Sequence, residues 1–449
     1  MAYGEFPADF RFGAATSSLQ VEGSPRADGA GETTWGVLAA TPGGILDGSD
    51  FDAACDFYRR YPEDIALMKD MGIDMFRFSV NWARIFPEGR GQYNPRGMDF
   101  YKHLCGELLK NGITPFVTLH HWELPQALER DFGGWRSKET SKYFGDFAEK
   151  VGKELAGMVK NYFTVNEISN FTETCYNTEG GYSPPQVKCD RKTERQCVHN
   201  AILGHGLAVE ALRRTSTADT EIGLAENPGV FIPAIETPEN IEACKKTFRL
   251  ANAAKLTAIC EGAYPEEYLG QLGADAPDFT DEEMRIISSP LDFLGLNIYC
   301  GQYTLANANG SVKVLPFPEG FPVTQMSWGR VTPEALYWGL RTCAELWHAP
   351  KYYITENGCA TADVVRDGKV YDTERVMFLR AYMQNMLRAV REGFGPAGYF
   401  AWSLLDNFEW REGLSRRFGL VRVDYETQKR TVKLSGEFYR EIIRTRKLV

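Results

Sequence analysis

Tyr162-Phe163-Thr164-Val165-Asn166-Glu167 is a run of aromatic and β-branched residues that stops on an amide and a carboxylate. Such composition reads as a strand. Tyr352-Tyr353-Ile354-Thr355-Glu356-Asn357-Gly358 repeats the pattern and again stops on polar groups. Working outward from these two, comparable runs lie near Phe10–Ser18, Met75–Val80, Ile113–His121, Glu221–Asn227, Asp292–Tyr299 and Ala397–Asp406. Helical periodicity fills the intervals, as in Pro62–Met71, Phe100–Asn111, Ser141–Val159, Cys197–Arg213, Pro333–Trp347 and Thr373–Glu392. Strands alternating with helices predict parallel βα units. Eight of them close a barrel, so the expected fold is α/β: a single (β/α)8 TIM barrel with extended βα loops, residues 1–449 forming one catalytic domain.

A barrel gathers its strand C-termini on one face. The residues ending these runs are Gln20, Arg77, His121, Asn166, Glu167, Asn227, Asn297, Tyr299, Glu356, Asn357 and Trp402. One polar strand end is ordinary loop chemistry; a whole set converging on one mouth predicts a site.

Composition narrows what that site takes. The 449 residues carry 50 Lys and Arg against 60 Asp and Glu, a net charge of −10 without a basic run. That disfavours nucleic acid and anionic membrane surfaces. No 18-residue apolar stretch suggests a transmembrane helix. The opening Met1-Ala2-Tyr3-Gly4-Glu5-Phe6-Pro7 shows no secretory pattern, so a cytoplasmic location is expected. The ten cysteines are scattered without a CxxC pair, and reduced thiols are expected, although Cys189 and Cys197 stand close enough for a loop disulfide. Aromatic residues reach 13%, a supply of flat faces for sugar rings.

His120 and His121 hint at a metal, but neighbours in a strand point to opposite faces, and no third ligand completes a spacing. Gly393-Phe394-Gly395-Pro396-Ala397-Gly398 fits GxGxxG by letter only, since it precedes a strand and carries Pro where a helix should begin. Asn170-Phe171-Thr172 and Asn309-Gly310-Ser311 are sequons of no weight in an unsecreted chain. Glu167 and Glu356 remain. Paired carboxylates facing each other across a barrel mouth suit glycoside hydrolysis, where one protonates the leaving oxygen while the other attacks or directs water.

The chain resembles the family 1 glycoside hydrolases, the β-glucosidase family, over essentially its whole length. The resemblance is carried by Phe10-Arg11-Phe12-Gly13-Ala14-Ala15-Thr16-Ser17-Ser18-Leu19-Gln20-Val21-Glu22-Gly23, Phe76-Arg77-Phe78-Ser79, His120-His121-Trp122-Glu123-Leu124-Pro125, Thr164-Val165-Asn166-Glu167, Ile354-Thr355-Glu356-Asn357-Gly358 and Trp402-Ser403-Leu404-Leu405-Asp406-Asn407-Phe408-Glu409-Trp410. It implies that Glu167 is the acid/base and Glu356 the nucleophile of a retaining, exo-acting β-glycosidase, their carboxyls about 5–5.5 Å apart. It further implies that Asn166 holds the sugar 2-hydroxyl, that Gln20, His121, Glu409 and Trp410 bind the other hydroxyls, and that Trp402 floors the ring. Asn297 is placed in the same substrate-binding set, Arg77 and Tyr299 support the nucleophile, and Trp328 lines the leaving-group side. No cofactor and no metal are required. Expected substrates are β-glucosides and short β-linked oligosaccharides, the products of cellulose degradation, with galactosides and fucosides alongside. The sequence leaves the oligomeric state open.

One position departs from the family pattern: Ile168 follows the acid/base glutamate where Pro is usual, which puts the path into the leaving-group site in question. Two alternatives stay open, a 6-phospho-β-glycosidase and a non-catalytic sugar-binding barrel.

Overall fold

The computed structural model describes residues 4–449; the opening Met1-Ala2-Tyr3, part of the segment read as lacking a secretory pattern, lies outside them. Eight parallel strands close into a barrel: β1 (Arg11–Ala15), β2 (Met75–Ser79), β3 (Thr114–His120), β4 (Asn161–Asn166), β5 (Glu221–Glu226), β6 (Phe293–Asn297), β7 (Tyr352–Asn357) and β8 (Gly398–Trp402). Each pairs with its chain neighbours, and β8 closes on β1 with Arg11 opposite Gly398 and Ala15 opposite Trp402. Every strand expected from sequence is present, within a few residues at its ends. No helix among the described residues is long and apolar enough to cross a membrane.

Two register shifts fall where they matter. Between β4 and β5 the pairing slips after Phe163 and resumes at Asn166. Between β7 and β6 it slips after Ile354, so that Glu356 stands opposite Asn297. Such irregularities re-aim a side chain at a barrel rim. The barrel interior below is packed with Met75, Phe116, Phe163, Phe293, Tyr353 and Phe400. It is a solid floor and no pore, so the strand ends have a fixed base.

Helix boundaries depart further from expectation than strands do. The helix read as Pro62–Met71 runs from Phe57 to Asp70. Pro62 suggested a first turn, but the chain enters earlier because the Tyr58 N–H reaches the Glu22 carbonyl, a long-range contact outside any local pattern. The helix read from Cys197 begins at Arg191, where Asp190 accepts the Thr193 N–H at 2.8 Å as an N-cap.

Gly358 lets β7 and β8 approach beside the site: a Cβ there would lie 1.8 Å from the Trp402 carbonyl oxygen. Gly358→Ala should therefore destabilise the protein by about 1–3 kcal/mol, the usual cost of overpacking. Gly106 sits in the helix Pro95–Lys110 with open space at its Cβ, so Gly106→Ala should stabilise by about 0.5–1 kcal/mol. Urea unfolding of both variants measures the contrast.

Candidate active site

Arg77, at the middle of β2, is fully buried with its guanidinium among the strand ends. Its guanidinium donates to Glu356 Oε1 at 2.6 Å, to Asn166 Oδ1 at 2.6 Å, to the Thr355 carbonyl at 3.2 Å and to Thr118 Oγ1 at 3.1 Å. It also lies 4.9 Å from the centroid of the Phe163 ring. Tyr299 donates its phenol to Glu356 Oε2 at 2.7 Å. Each oxygen of Glu356 thus has a fixed donor.

Glu167 follows β4 with its backbone in the left-handed region, at φ 47°. Asn297 donates to its Oε1 at 2.8 Å and to Asn166 Oδ1 at 3.0 Å, while the Asn170 amide donates to Oε2. No cation among the described residues makes a hydrogen bond or ion pair with it. Burial, reinforced by the charge of Glu356, pushes the Glu167 carboxyl up to about 8. Burial raises Glu356 as well, but the Arg77 charge and the Tyr299 phenol work against the rise. Both glutamates are raised by burial, but only Glu356 has a cation and a phenol that favour its anion, so the two carboxyls of one mouth are unequally supported.

Above them opens a cavity of about 570 Å³, a volume usual for small-molecule sites. Glu167, Glu356, His121, Tyr299, Trp328, Trp402, Glu409 and Trp410, all expected from sequence, line it. Gln20, Asn166, Asn297 and Arg77 stand one layer behind. Gln20 donates to Glu409 at 3.2 Å and to Asn407 at 3.1 Å. Asn297 is buried beneath the two carboxyls, with its Oδ1 accepting from Thr355 at 2.6 Å. In this arrangement it orients side chains of the site and does not reach the cavity wall.

The wall is aromatic. His121 stacks at 16° on Trp402 and at 14° on Trp410. Trp122 and Trp35 pack against Trp410 with ring centroids 4.4 Å and 4.7 Å away. His120 faces the other way, among Trp82, Trp135, Phe144 and Phe171, as alternation along a strand requires. Burial, reinforced by the charge of Glu356, pushes Glu409 up to about 8, with Gln20 its one direct donor among the described residues. At neutral pH such a carboxyl offers both a donor and an acceptor to hydroxyl groups.

Sequence reading missed Trp35, Trp122, Asn170, Tyr182, Arg411 and Phe418, all lining the cavity from the loops and short helical turns that follow the barrel strands. Trp122 carried the best available signal, since it adjoins His121; it holds φ 83° and donates its indole N–H to the Asn166 carbonyl at 3.0 Å. Arg411 reaches the cavity from the short turn Trp410–Glu412 and lies over the Tyr182 ring at 4.7 Å. The ten cysteines are free, so Cys189 and Cys197 form no disulfide.

A parallel barrel with unequal paired carboxyls and an aromatic-walled cavity over its strand ends is the architecture of a glycosidase. Residues 2–448 match the family described as Glycosyl hydrolase family 1, and the chain belongs to it. It is 40% identical over 444 residues to Beta-glucosidase A of Thermotoga maritima, covering 98% of both chains. Beta-glucosidase A of Acetivibrio thermocellus is equally similar, 40% over 445 residues, again 98% of each. Among solved structures, a family 1 β-glucosidase from Thermotoga maritima in complex with isofagomine lactam superposes with a TM-score of 0.90 at 39% identity, covering 99% of each chain.

The Arg77–Glu356 contact gives a direct test of the electrostatics. In Arg77→Met, the Glu356 carboxyl loses its cation inside the protein, and its pKa should rise further. Difference infrared titration, with the band assigned through Glu356→Gln, reads the shift.

Proposed function

We propose that this protein is a retaining, exo-acting β-glucosidase in which Glu356 attacks the anomeric carbon while protonated Glu167 gives its proton to the departing oxygen. The observation that carries the assignment is the unequal support of the two carboxyls: Arg77 and Tyr299 on Glu356, no cation on Glu167. An anion held by a guanidinium is fit to be the nucleophile, and a carboxyl pushed up to about 8 is fit to be the acid at neutral pH. Bond formation at C1 releases the alcohol and leaves a glycosyl ester on Glu356. Glu167, now ionised, takes a proton from water, which displaces the ester and frees the sugar with its configuration retained. Asn297 touches Glu167 and its amide also acts on Glu356, which supports the close carboxyl pair of double displacement over a wider inverting pair. Residues 1–449 act in this reading as one catalytic unit, and the unpaired thiols suit a reducing compartment.

Terminal β-D-glucosides and short β-linked glucans fit the rest of the cavity. Trp402 supplies a flat floor for the sugar ring. Glu409 and Gln20 form one hydrogen-bonded set that suits neighbouring hydroxyls, and galactosides and fucosides fit the same set. Trp328 and Tyr182, 46% and 52% exposed, line the outer cavity where the leaving group would sit.

The 6-phospho reading finds no support in the charge distribution. Arg411 is the sole cation lining the cavity among the described residues, and its guanidinium is engaged with the carbonyls of Gly43, Gly44 and Tyr182. A phosphate dianion would meet Glu409 without a basic partner. Wild-type enzyme should therefore hydrolyse p-nitrophenyl β-glucoside and leave its 6-phosphate intact; the reverse preference would replace this reading.

The two glutamates should separate under substitution. Glu167→Ala should lose about 10²–10⁴-fold on alkyl glucosides and far less on dinitrophenyl glucoside, whose leaving group needs little protonation. With azide it should give the β-glucosyl azide, by attack on the glycosyl ester from the vacated side. Glu356→Ala should be inactive on every ordinary β-glucoside, and azide entering from the opposite face should give the α product. Anomeric proton NMR of the two products decides between the roles; the same anomer from both variants would overturn them.

A further inference from the structure

Where the family pattern has Pro, Ile168 keeps a backbone N–H, and the structure shows what takes it. Ile168 opens a one-turn helix, Ile168–Phe171, with Glu167 as its N-cap and no side-chain cap from Glu167 itself. Proline at this first helical position would fix its own backbone and leave no N–H to satisfy. With Ile168 the N–H points instead at Glu226, the last residue of β5, whose Oε2 accepts it at 2.9 Å. One residue earlier, the Glu167 N–H donates to the Ala225 carbonyl at 2.9 Å. The peptide groups on both sides of Glu167, whose own backbone sits at φ 47°, are thus pinned to the end of one strand.

Glu226 is 1% exposed, and a carboxylate at that depth needs a counter-charge to stay ionised. Lys255 supplies it, with Nζ 3.4 Å from Glu226 Oε1. Lys255 rises from a π-helical turn, Ala253–Thr257, and also donates to Ser169 Oγ, whose hydroxyl donates to Glu173 at 2.7 Å. The second residue of the Glu167 turn is therefore tied to the same cation. Burial pushes Glu226 up and the Lys255 charge opposes the rise, while the carboxylates around Lys255 favour its protonated form.

We propose that Glu226 and Lys255 are positioning residues for the acid/base, replacing by a buried ion pair the backbone constraint that proline supplies elsewhere in the family. The proposal rests on Glu167 being the acid. The charged groups acting on Glu167 are Glu356 from β7, Arg77 from β2, Glu226 from β5 and Lys255 from the π-helical turn. Because Glu226 accepts the Ile168 N–H and its charge also favours the protonated form of Glu167, after burial and Glu356, the pair bears on proton affinity as well as position.

The test is a leaving-group comparison. Glu226→Leu removes the acceptor and should lower kcat/KM for alkyl β-glucosides about 10²-fold, the scale of a small misplacement of a catalytic group. For dinitrophenyl β-glucoside the loss should stay within about threefold, since protonation contributes little there. Glu226→Gln keeps an acceptor for the Ile168 N–H but drops the negative charge beside Glu167. It should retain most activity and move the basic limb of the pH profile to lower pH, because Glu167 then gives up its proton more readily. In an Ile168→Pro background, where no N–H remains to be held, Glu226→Leu should lose its selectivity for poor leaving groups. Equal loss on all substrates, no loss at all, or a basic limb moving upward in Glu226→Gln would overturn the proposal. Should Glu226→Leu fail to fold, the pH limb of Glu226→Gln decides alone. Glu167→Ala is the control: if it shows leaving-group selectivity and Glu226→Leu does not, the positioning role alone fails. If Glu167→Ala lacks that selectivity, the acid assignment falls, and this inference with it.

Discussion

The buried guanidinium of Arg77 is the contact on which the site depends. Removing that charge from water is costly and is offset only by a full set of partners. The partners come from different strands: Thr118 of β3, Asn166 of β4, Thr355 and Glu356 of β7. A lysine could not reproduce this, because a point charge lacks the planar fork that meets Glu356 and Asn166 at once. One side chain therefore fixes the Glu356 carboxyl, the Asn166 amide and the relative placement of three strand ends.

Around that centre, reactivity follows from unequal surroundings of equal groups. Glu167, Glu356 and Glu409 are the same residue type, all buried at one barrel mouth. Glu356 has a guanidinium and a phenol, Glu167 has carboxamides only, and Glu409 has the Gln20 amide. Desolvation raises all three, and the partners decide how much of the rise survives. Glu123, a further buried glutamate, is pushed up to about 8 in the same way, accepts from Ser18 and lies outside the cavity. A raised carboxyl by itself is thus no mark of catalysis here; placement in the cavity beside a supported anion is.

The barrel was legible because its strands are short, apolar and closed by polar residues, a local pattern that tertiary context only confirms. Helix starts were less so: the first turn at Phe57 is set by a carbonyl from Glu22, remote from the helix in the chain. In the site, the residues on strand ends were readable one by one, since the strand fixes their direction. Trp35, Tyr182, Arg411 and Phe418 were not, because the segments that carry them, outside the barrel strands, converge only in three dimensions. Asn297 shows a subtler limit. Its place at a strand end was legible, but only the register shift opposite Glu356 reveals that it turns beneath the carboxyls.

Backbone strain draws the boundary between the constant and the adaptable parts. Trp122, Glu167 and Trp410 all hold positive φ without being glycine, conformations that persist only where neighbours over-determine them. Trp122 and Glu167 lie just beyond their strands, at the step from strand to loop, and Trp410 opens the short turn Trp410–Glu412 farther along the segment after β8. Trp122 is anchored by its indole on the Asn166 carbonyl, and Trp410 by packing against Trp35 and Trp122. Glu167 is anchored through both of its flanking N–H groups. Any change in the residue after Glu167 must therefore find another way to hold that turn. An apolar residue in place of proline leaves an N–H in a dry environment, and an unmet N–H there costs about 1–3 kcal/mol. The carboxylate of Glu226 meets it, which creates a buried charge, and Lys255 in turn meets that. The ion pair behind Glu167 is a chain of consequences from one missing pyrrolidine ring.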